Sequence, residues 1–284
     1  MQQEKKRFGL IGHPVGHSLS QAMHTAVFQE LGLPHTYEAL DIEPKDLTNF
    51  MKTAKQARGT AEQYDGFNVT IPHKVEAMNH VDRLGQSAKA IQAVNTISFG
   101  DEIVGYNTDA IGFARSLEER AIDPSERNVL VVGSGGVSRA ILYQLIQYDA
   151  NITLTNRTRQ KAEDLVKQLQ ATDKIKIIDY TPENLTQALQ DTYLIVNTTS
   201  IGMLPNTENS PIPKQALKPD HVIFDAIYNP INTKLIKDAK AIGCETISGV
   251  SMLVHQGAES LKIWLGIEPP IETMRNAVIK GLTS

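Results

Sequence analysis

Cysteine is almost absent: Cys244 stands alone among 284 residues. No intrachain disulfide can form, and a reducing compartment, the cytoplasm, is expected. Long apolar runs are missing too. Stretches such as Val129-Leu130-Val131-Val132 fall far short of the roughly 20 residues that a membrane helix needs. The opening Met1-Gln2-Gln3-Glu4-Lys5-Lys6-Arg7 is polar with no apolar core behind it, which argues against a secretory leader. Positive charge is not in excess. With 28 Lys and Arg against 32 Asp and Glu, the net charge is −4, which argues against a general nucleic-acid binder. Repeats and low-complexity tracts are also lacking. What is present, 41% hydrophobic and 21% charged residues, suits a globular chain with room for two domains.

Strand-like and helix-like stretches alternate. Residues 8–11, 36–40 and 66–70 read as strands, 21–31 and 44–57 as helices, and 94–99 with 102–104 as a hairpin. Beyond residue 109 the alternation becomes regular. The apolar run 129–132 is expected of a parallel strand covered on both faces. Further strands are expected at 152–155, 174–178, 193–197 and 222–225, with helices at 137–148 and 159–169. The reading is α/β: an N-terminal α/β domain with a mixed sheet over residues 1–108, then a doubly wound Rossmann-type domain over 109–249. A helix at 251–266 returns to the first domain, which residues 250–284 complete. Closure of two domains over a ligand is the expectation.

The segment Gly133-Ser134-Gly135-Gly136-Val137-Ser138 joins an apolar strand to a helix. Gly133 permits a tight turn, Gly135 lets backbone approach a pyrophosphate, and the helix N-terminus offers N–H groups to that anion. Ser138 takes the place of the usual third glycine and is small enough for close packing. The next strand ends in Asn156-Arg157-Thr158-Arg159. Dinucleotide folds that hold an unphosphorylated ribose usually carry an acid there. Arg157 can instead pair with a 2′-phosphate, helped by Asn156 and Thr158, so NADP is expected over NAD. A solvated basic loop is the alternative. Asn197 and Thr198, after another buried strand, read either as cofactor neighbours or as a polar loop.

The N-terminal part carries polar groups after short strands. Ser18 and Ser20 precede a helix: Ser20 is either its N-cap or, with Ser18, part of a carboxylate cradle. Asn68 and Thr70 share one side of a strand by period-two spacing. Lys74 is placed at the start of the following helix, and Asp109 before the helix 110–120, where each could be only a solvated or capping charge. His13, His17, His73 and His255 match no zinc spacing, and no metal is expected.

Taken together, Gly16-His17-Ser18-Leu19-Ser20, Asn68-Val69-Thr70-Ile71-Pro72-His73-Lys74, Ala93-Val94-Asn95-Thr96, Asn107-Thr108-Asp109, the glycine turn, Asn156-Arg157-Thr158 and Gly249-Val250-Ser251-Met252-Leu253-Val254-His255-Gln256 resemble the shikimate dehydrogenase family. The likeness extends over nearly the whole chain. Gln21 and Thr25 depart from the proline and asparagine common in that family, and neither carries chemistry. The resemblance implies reversible NADP-linked reduction of 3-dehydroshikimate to shikimate, on the route to chorismate and the aromatic amino acids. It implies that Ser18 and Ser20 hold the substrate carboxylate. Asn68, Thr70, Asn95, Asp109 and Gln256 would hold ring hydroxyls, with Lys74 near the reacting oxygen. A tyrosine such as Tyr228 lies near substrate and nicotinamide in the family, with packing under a loop as the alternative. Gly133, Ser134, Gly135, Gly136, Val137, Asn156, Arg157, Thr158, Thr198, Ile227 and Gly249 are the expected cofactor residues.

Ketone reduction needs a hydride on carbon and a proton on oxygen. Lys74 as ammonium can stabilise a developing alkoxide and donate that proton, with Asp109 holding the amine. Competing readings are a quinate or dual quinate/shikimate dehydrogenase, against which Arg157 and Ser20 speak, and a non-catalytic NADP sensor, against which the presence of both Lys74 and Asp109 speaks. The expected partners are a small-molecule substrate and, at most, a second copy of the chain: a monomer or homodimer, binding neither nucleic acid nor membrane.

Overall fold

A computed structural model describes residues 4–283. They pack as two units: one runs to Thr108 and resumes at Val254, and the other spans Asp109–Leu253. Among the described residues no helix is long and apolar enough to cross a membrane.

The first unit opens with β1 (Arg7–Gly12), α1 (Ser20–Glu30) and β2 (Thr36–Asp41). A 3-10 turn at Pro44–Asp46 leads into α2 (Leu47–Gln56), followed by β3 (Gly66–Val69). After a second 3-10 turn, Glu76–His80, come β4 (Arg83–Leu84), α3 (Gln86–Ile91), β5 (Thr96–Phe99) and β6 (Ile103–Tyr106). The strands pair in the order β2-β1-β3-β5-β6-β4. β1 is parallel to β2 and β3, while β5 is antiparallel to β3 and β6, so the sheet is mixed. Leu47, Met51 and Ala54 lie on one face of α2 and pack with Ile11, Phe67, Val69 and Ile97 of the sheet.

The second unit contains α4 (Asp109–Glu118), β7 (Asn128–Val132), α5 (Gly136–Gln147), β8 (Asn151–Asn156), α6 (Arg159–Gln168) and β9 (Ile175–Asp179). It continues with α7 (Pro182–Ala188), β10 (Leu194–Asn197), β11 (Val222–Asp225), α8 (Lys234–Ile242) and β12 (Glu245–Ser248). Its sheet runs β12-β11-β10-β7-β8-β9, parallel throughout. The apolar runs feed two cores by strict alternation. Val129, Val131, Leu194, Val196 and Phe224 point into one, and Leu130, Val132, Ile195 and Ile223 into the other. Strand order reverses between β7 and β10, and ligands bind such sheets outside the carboxyl ends of the strands at that reversal.

α9 (Gly249–Leu265) and α10 (Ile271–Thr283) close the chain. The division between units falls inside α9, after Leu253, rather than at the expected 249/250 junction. No breaker interrupts this helix. Met252 near its start belongs to a core of the second unit. Trp264 near its end stacks on Phe8 at 4.7 Å and donates to Ile97 O at 2.9 Å in the first. A Cβ on Gly66 would meet the Trp264 indole nitrogen at 2.3 Å, so the strand must be bare where the indole lies. Pattern reading passes over β12, which is short and has only Ile247 buried, and over β4, with just two residues.

Candidate functional site

In the first unit β1 ends against the segment after β3. A Cβ on Gly12 would lie 2.4 Å from Thr70 Cγ2, so Thr70 sits directly beside the end of β1. The loop then turns through Ser18, whose N–H donates to Val15 O at 2.9 Å. Ser18 Oγ accepts from the Ser20 N–H at 3.3 Å and donates to Ser20 Oγ at 3.2 Å. The two hydroxyls are therefore adjacent. The capping expectation for Ser20 is corrected: Leu19 is the N-cap residue of α1, without a side-chain cap, and Ser20 is already helical.

Asn68 and Asn95 lie at the centre of a buried polar cluster, 5% and 2% exposed. Its hydrogen-bond polarity is set by main-chain groups whose donor or acceptor character cannot change. The Thr108 N–H donates to Asn95 Oδ1 at 2.7 Å, which turns the Asn95 amide nitrogen toward Thr108 Oγ1 at 2.9 Å and Gln256 Oε1 at 3.3 Å. On the other side Ser260 donates to Gln256 O at 3.1 Å, and its oxygen lies 2.9 Å from Thr96 Oγ1. Asn68 Nδ2 meets that oxygen at 2.9 Å and Thr96 Oγ1 at 3.1 Å. Thr96, Thr108 and Ser260 are thus working members that sequence reading left without a role. The first two stand beside Asn95 and Asp109 in the family-like segments, but a hydroxyl facing a strand gives no signal of its partner.

Lys74 is half-buried in a turn, not at a helix start. The reason lies in its neighbours. The His73 ring is buried and bonded to Ile42 O at 2.7 Å. The Lys74 carbonyl accepts from the Val94 N–H at 2.7 Å, so a distant part of the chain engages it in place of the next helical turn. The same two anchors hold the Lys74 backbone in place.

Beneath this cluster lies His24, wholly buried and stacked on Tyr37 with ring centres 4.3 Å apart. Burial drives its pKa down to about 3, opposed by the neighbouring Asn68 carboxamide, so the ring is neutral.

In the second unit the glycine turn follows β7. Gly133 has φ +111°, and a Cβ there would meet Thr198 Oγ1 at 2.6 Å. Both conformation and space demand glycine. Ser138 donates to Gly133 O at 3.0 Å and lies 2.6 Å from Thr198 Oγ1, so the residue replacing a third glycine ties the turn to the end of β10. Thr198 in turn donates to Val132 O at 2.8 Å.

Gly135 and Gly136 differ. A Cβ on either would meet nothing within 4 Å, and Gly135, at φ −83°, is the N-cap of α5 without a side-chain cap. Neither conformation nor protein packing requires Gly135 to lack a side chain. A ligand backbone or phosphate approaching the helix N-terminus would. Ser134 and Val137 flank them, partly exposed. Arg157 and Thr158 are exposed, and Asn156 Nδ2 donates to Thr158 O at 2.8 Å, shaping that loop. Arg159, by contrast, is engaged with Glu163 and Asp179 at 2.8 and 2.9 Å. These residues fit a phosphorylated dinucleotide.

At the carboxyl end of β11, Asp225 is fully buried and accepts from Thr233 Oγ1 at 2.6 Å, Asn197 Nδ2 at 3.0 Å and the Ile227 N–H at 3.1 Å. Burial raises its pKa to about 6, against the pull of these three donors. Sequence reading missed Asp225 as the group that joins the loops after β10 and β11. An acid ending a buried apolar strand was the available signal. Ile227 O accepts from the Gly249 N–H at 3.1 Å, and a Cβ on Gly249 would lie 2.2 Å from Ala226 O, so Gly249 allows α9 to start against this loop. Tyr228 is partly buried, which raises its phenol pKa. Asp109 is the first residue of α4 and buried, inside the helix rather than before it.

Family models match three stretches: the shikimate dehydrogenase substrate binding domain over residues 10–97, shikimate / quinate 5-dehydrogenase over 116–239, and the shikimate 5'-dehydrogenase C-terminal domain over 249–279. The chain is 43% identical over 281 residues to a shikimate dehydrogenase (NADP(+)) of Methanocaldococcus jannaschii, covering 98% of each. Among solved structures, one of a shikimate dehydrogenase in complex with NADP+ has a TM-score of 0.91 at 40% identity, covering 99% of this chain and 96% of that one. A shikimate 5-dehydrogenase of Thermus thermophilus in complex with NADP(H) and shikimate has a TM-score of 0.85 at 32% identity, covering 98% and 100%.

Proposed function

The chain belongs to the shikimate dehydrogenase family and catalyses NADP-linked interconversion of 3-dehydroshikimate and shikimate, and we propose that Lys74 and Asp109 carry its proton transfer. The reaction places it on the shikimate pathway. When bound, the reduced dinucleotide supplies the hydride, and the protein supplies binding, orientation and the proton.

We assign the first unit to substrate and the second to cofactor. Ser18 and Ser20 take the substrate carboxylate, two adjacent hydroxyls beside the start of α1. Asn68, Thr70, Asn95, Gln256 and Tyr228 take its ring oxygens. Gly133, Ser134, Gly135, Gly136 and Val137 receive the pyrophosphate, and Asn156, Arg157 and Thr158 the 2′-phosphate. Thr198, Ile227 and Gly249 shape the crevice, since the structure already engages their polar groups.

The observation that carries the substrate assignment is the Asn95 amide, buried and held in one orientation by the Thr108 N–H. A buried amide with set polarity discriminates between a donating and an accepting oxygen. Lys74 donates a proton to the reacting oxygen in reduction and accepts it in oxidation, and Asp109 orients the amine. Lys74→Ala is expected to lower kcat by about 10²- to 10⁴-fold. The measurement is NADPH oxidation with 3-dehydroshikimate and dehydroquinate offered separately. Turnover near wild type with only a raised KM would rule out the catalytic assignment of Lys74.

We further infer a cytoplasmic monomer or homodimer. The lone Cys244 is buried, with burial raising its thiol pKa, which suits a reducing compartment. Light scattering on the purified chain reads its oligomeric state.

A further inference from the structure

We propose that Tyr37 is a positioning residue of the substrate site, its hydroxyl fixing the orientation of the Asn68 carboxamide. The inference rests on the assignment of Asn68 to substrate. Tyr37 stands on β2, 3% exposed, with its ring stacked on His24. Its hydroxyl donates to Asn68 Oδ1 at 2.8 Å. Burial raises the phenol pKa far above its ordinary value, so the O–H remains a donor at every pH at which the protein works.

Asn68 must satisfy four hydrogen-bonding positions in a site nearly closed to water. Ser260 Oγ, Thr96 Oγ1 and the Asn95 carbonyl, at 2.9, 3.1 and 3.3 Å, take its two N–H groups. The carbonyl can only accept, while the Thr96 and Ser260 hydroxyls lie 2.9 Å apart and are also engaged with Asn95 Oδ1 and Gln256 O. Oδ1 must therefore face away from them, and there Tyr37 supplies its donor. Besides Tyr37, Oδ1 has only the neutral His24 ring beside it, which leaves it lone-pair capacity for a substrate hydroxyl. Asn68 can thus accept a hydrogen bond from a substrate hydroxyl but has no N–H left to give one.

Without the Tyr37 hydroxyl, Oδ1 loses the donor that anchors it and keeps only the neutral His24 ring beside it. The Asn95 carbonyl still opposes a turned-over carboxamide, so the loss loosens Asn68 in its place rather than reversing it. Tyr37 never touches the reacting atoms in this scheme. It acts through Asn68, and Asn68 through substrate binding, so the effect belongs in KM for shikimate and not in the chemical step.

Tyr37→Phe keeps the ring and its stacking and removes only the hydroxyl, which also neighbours Ser20, so the double variant with Asn68→Ala separates the two routes. The expected result is a rise of about five- to tenfold in KM for shikimate, with kcat and KM for NADP changed by less than about twofold. Asn68→Ala should raise the same KM at least as much, and adding Tyr37→Phe to it should have no further effect. Multiplying effects in the double variant, or an unchanged KM in Tyr37→Phe, would overturn the proposal. An unchanged KM in Asn68→Ala would instead overturn the assignment of Asn68 on which it rests. Should Tyr37→Phe not fold, Ser260→Ala reads the same orientation from the opposite side: the proposal requires the same selective rise in KM and fails without it.

Discussion

On the proposed assignment, the two units solve ligand recognition differently. The polar cluster of the first is neutral and assembled from distant parts of the chain: Asn68 bonds Tyr37, 31 residues away, and Ser260, 192 residues away. The crevice of the second is built chiefly from main chain, in a glycine turn that reads as one short motif, with side-chain junctions at Ser138–Thr198 and at the buried carboxylate Asp225. Neutral amides of set polarity suit a ligand that must be told apart by its hydroxyls. Bare backbone at a helix N-terminus suits a phosphate, which needs donors and space but little discrimination.

The sharpest way to test that contrast is inside the glycine turn. Gly133→Ala forces a side chain onto a φ of +111° and against Thr198. It should raise KM for NADP by about 100-fold or more and lower stability by about 2–4 kcal/mol. Gly135→Ala meets nothing in the protein, so denaturation should move by less than about 0.5 kcal/mol while KM for NADP still rises about tenfold. Equal losses of stability in both would abolish the distinction between a structural and a ligand-facing glycine. Next in size, Arg157→Ala should raise KM for NADP by about 10- to 100-fold and leave KM for shikimate unchanged, because Arg157 is exposed in the second unit. Activity with NADH should be little affected.

The smallest effects lie in pH dependence, where the units should move in opposite directions. His24 has a folded pKa of about 3, below its unfolded value of 6.5. Its stabilising contribution is complete above pH 6.5 and is lost as pH falls toward 3, by roughly 1.4 kcal/mol per unit at most. Asp225 has a folded pKa of about 6, above its unfolded 3.8. It favours the folded state fully below pH 3.8, and that contribution is lost as pH rises through about 6. Trp264 is the single tryptophan and sits in the first unit, so its fluorescence follows that unit during urea unfolding. Between pH 7 and 5 its transition should weaken, and His24→Phe should flatten that slope. A slope unaffected by His24→Phe would mean that other groups govern the acid response.

Much of the second unit was legible because its signals are local. Val129-Leu130-Val131-Val132 followed by Gly133 is a buried strand and a turn whatever surrounds it, and Arg157 standing where an acid is usual needs no partner to be noticed. The first unit was legible as segments but not as contacts. Ser20 was open to a capping role that Leu19 in fact occupies, and Lys74 read as a helix start although the Val94 N–H engages its carbonyl in a turn.

By itself, then, the sequence determined the α/β class, the parallel sheet of the second unit and the glycine turn between its first strand and the following helix. All of these follow from periodicity and from backbone freedom at one or two positions. The tertiary structure alone decided which way Asn68 and Asn95 face, that Tyr37, Thr96 and Ser260 stand behind them, and that Asp225 joins the loops beside the glycine turn. An amide looks the same in either orientation along the chain. Only the partners brought to it by folding, each able to donate or to accept, give it a direction.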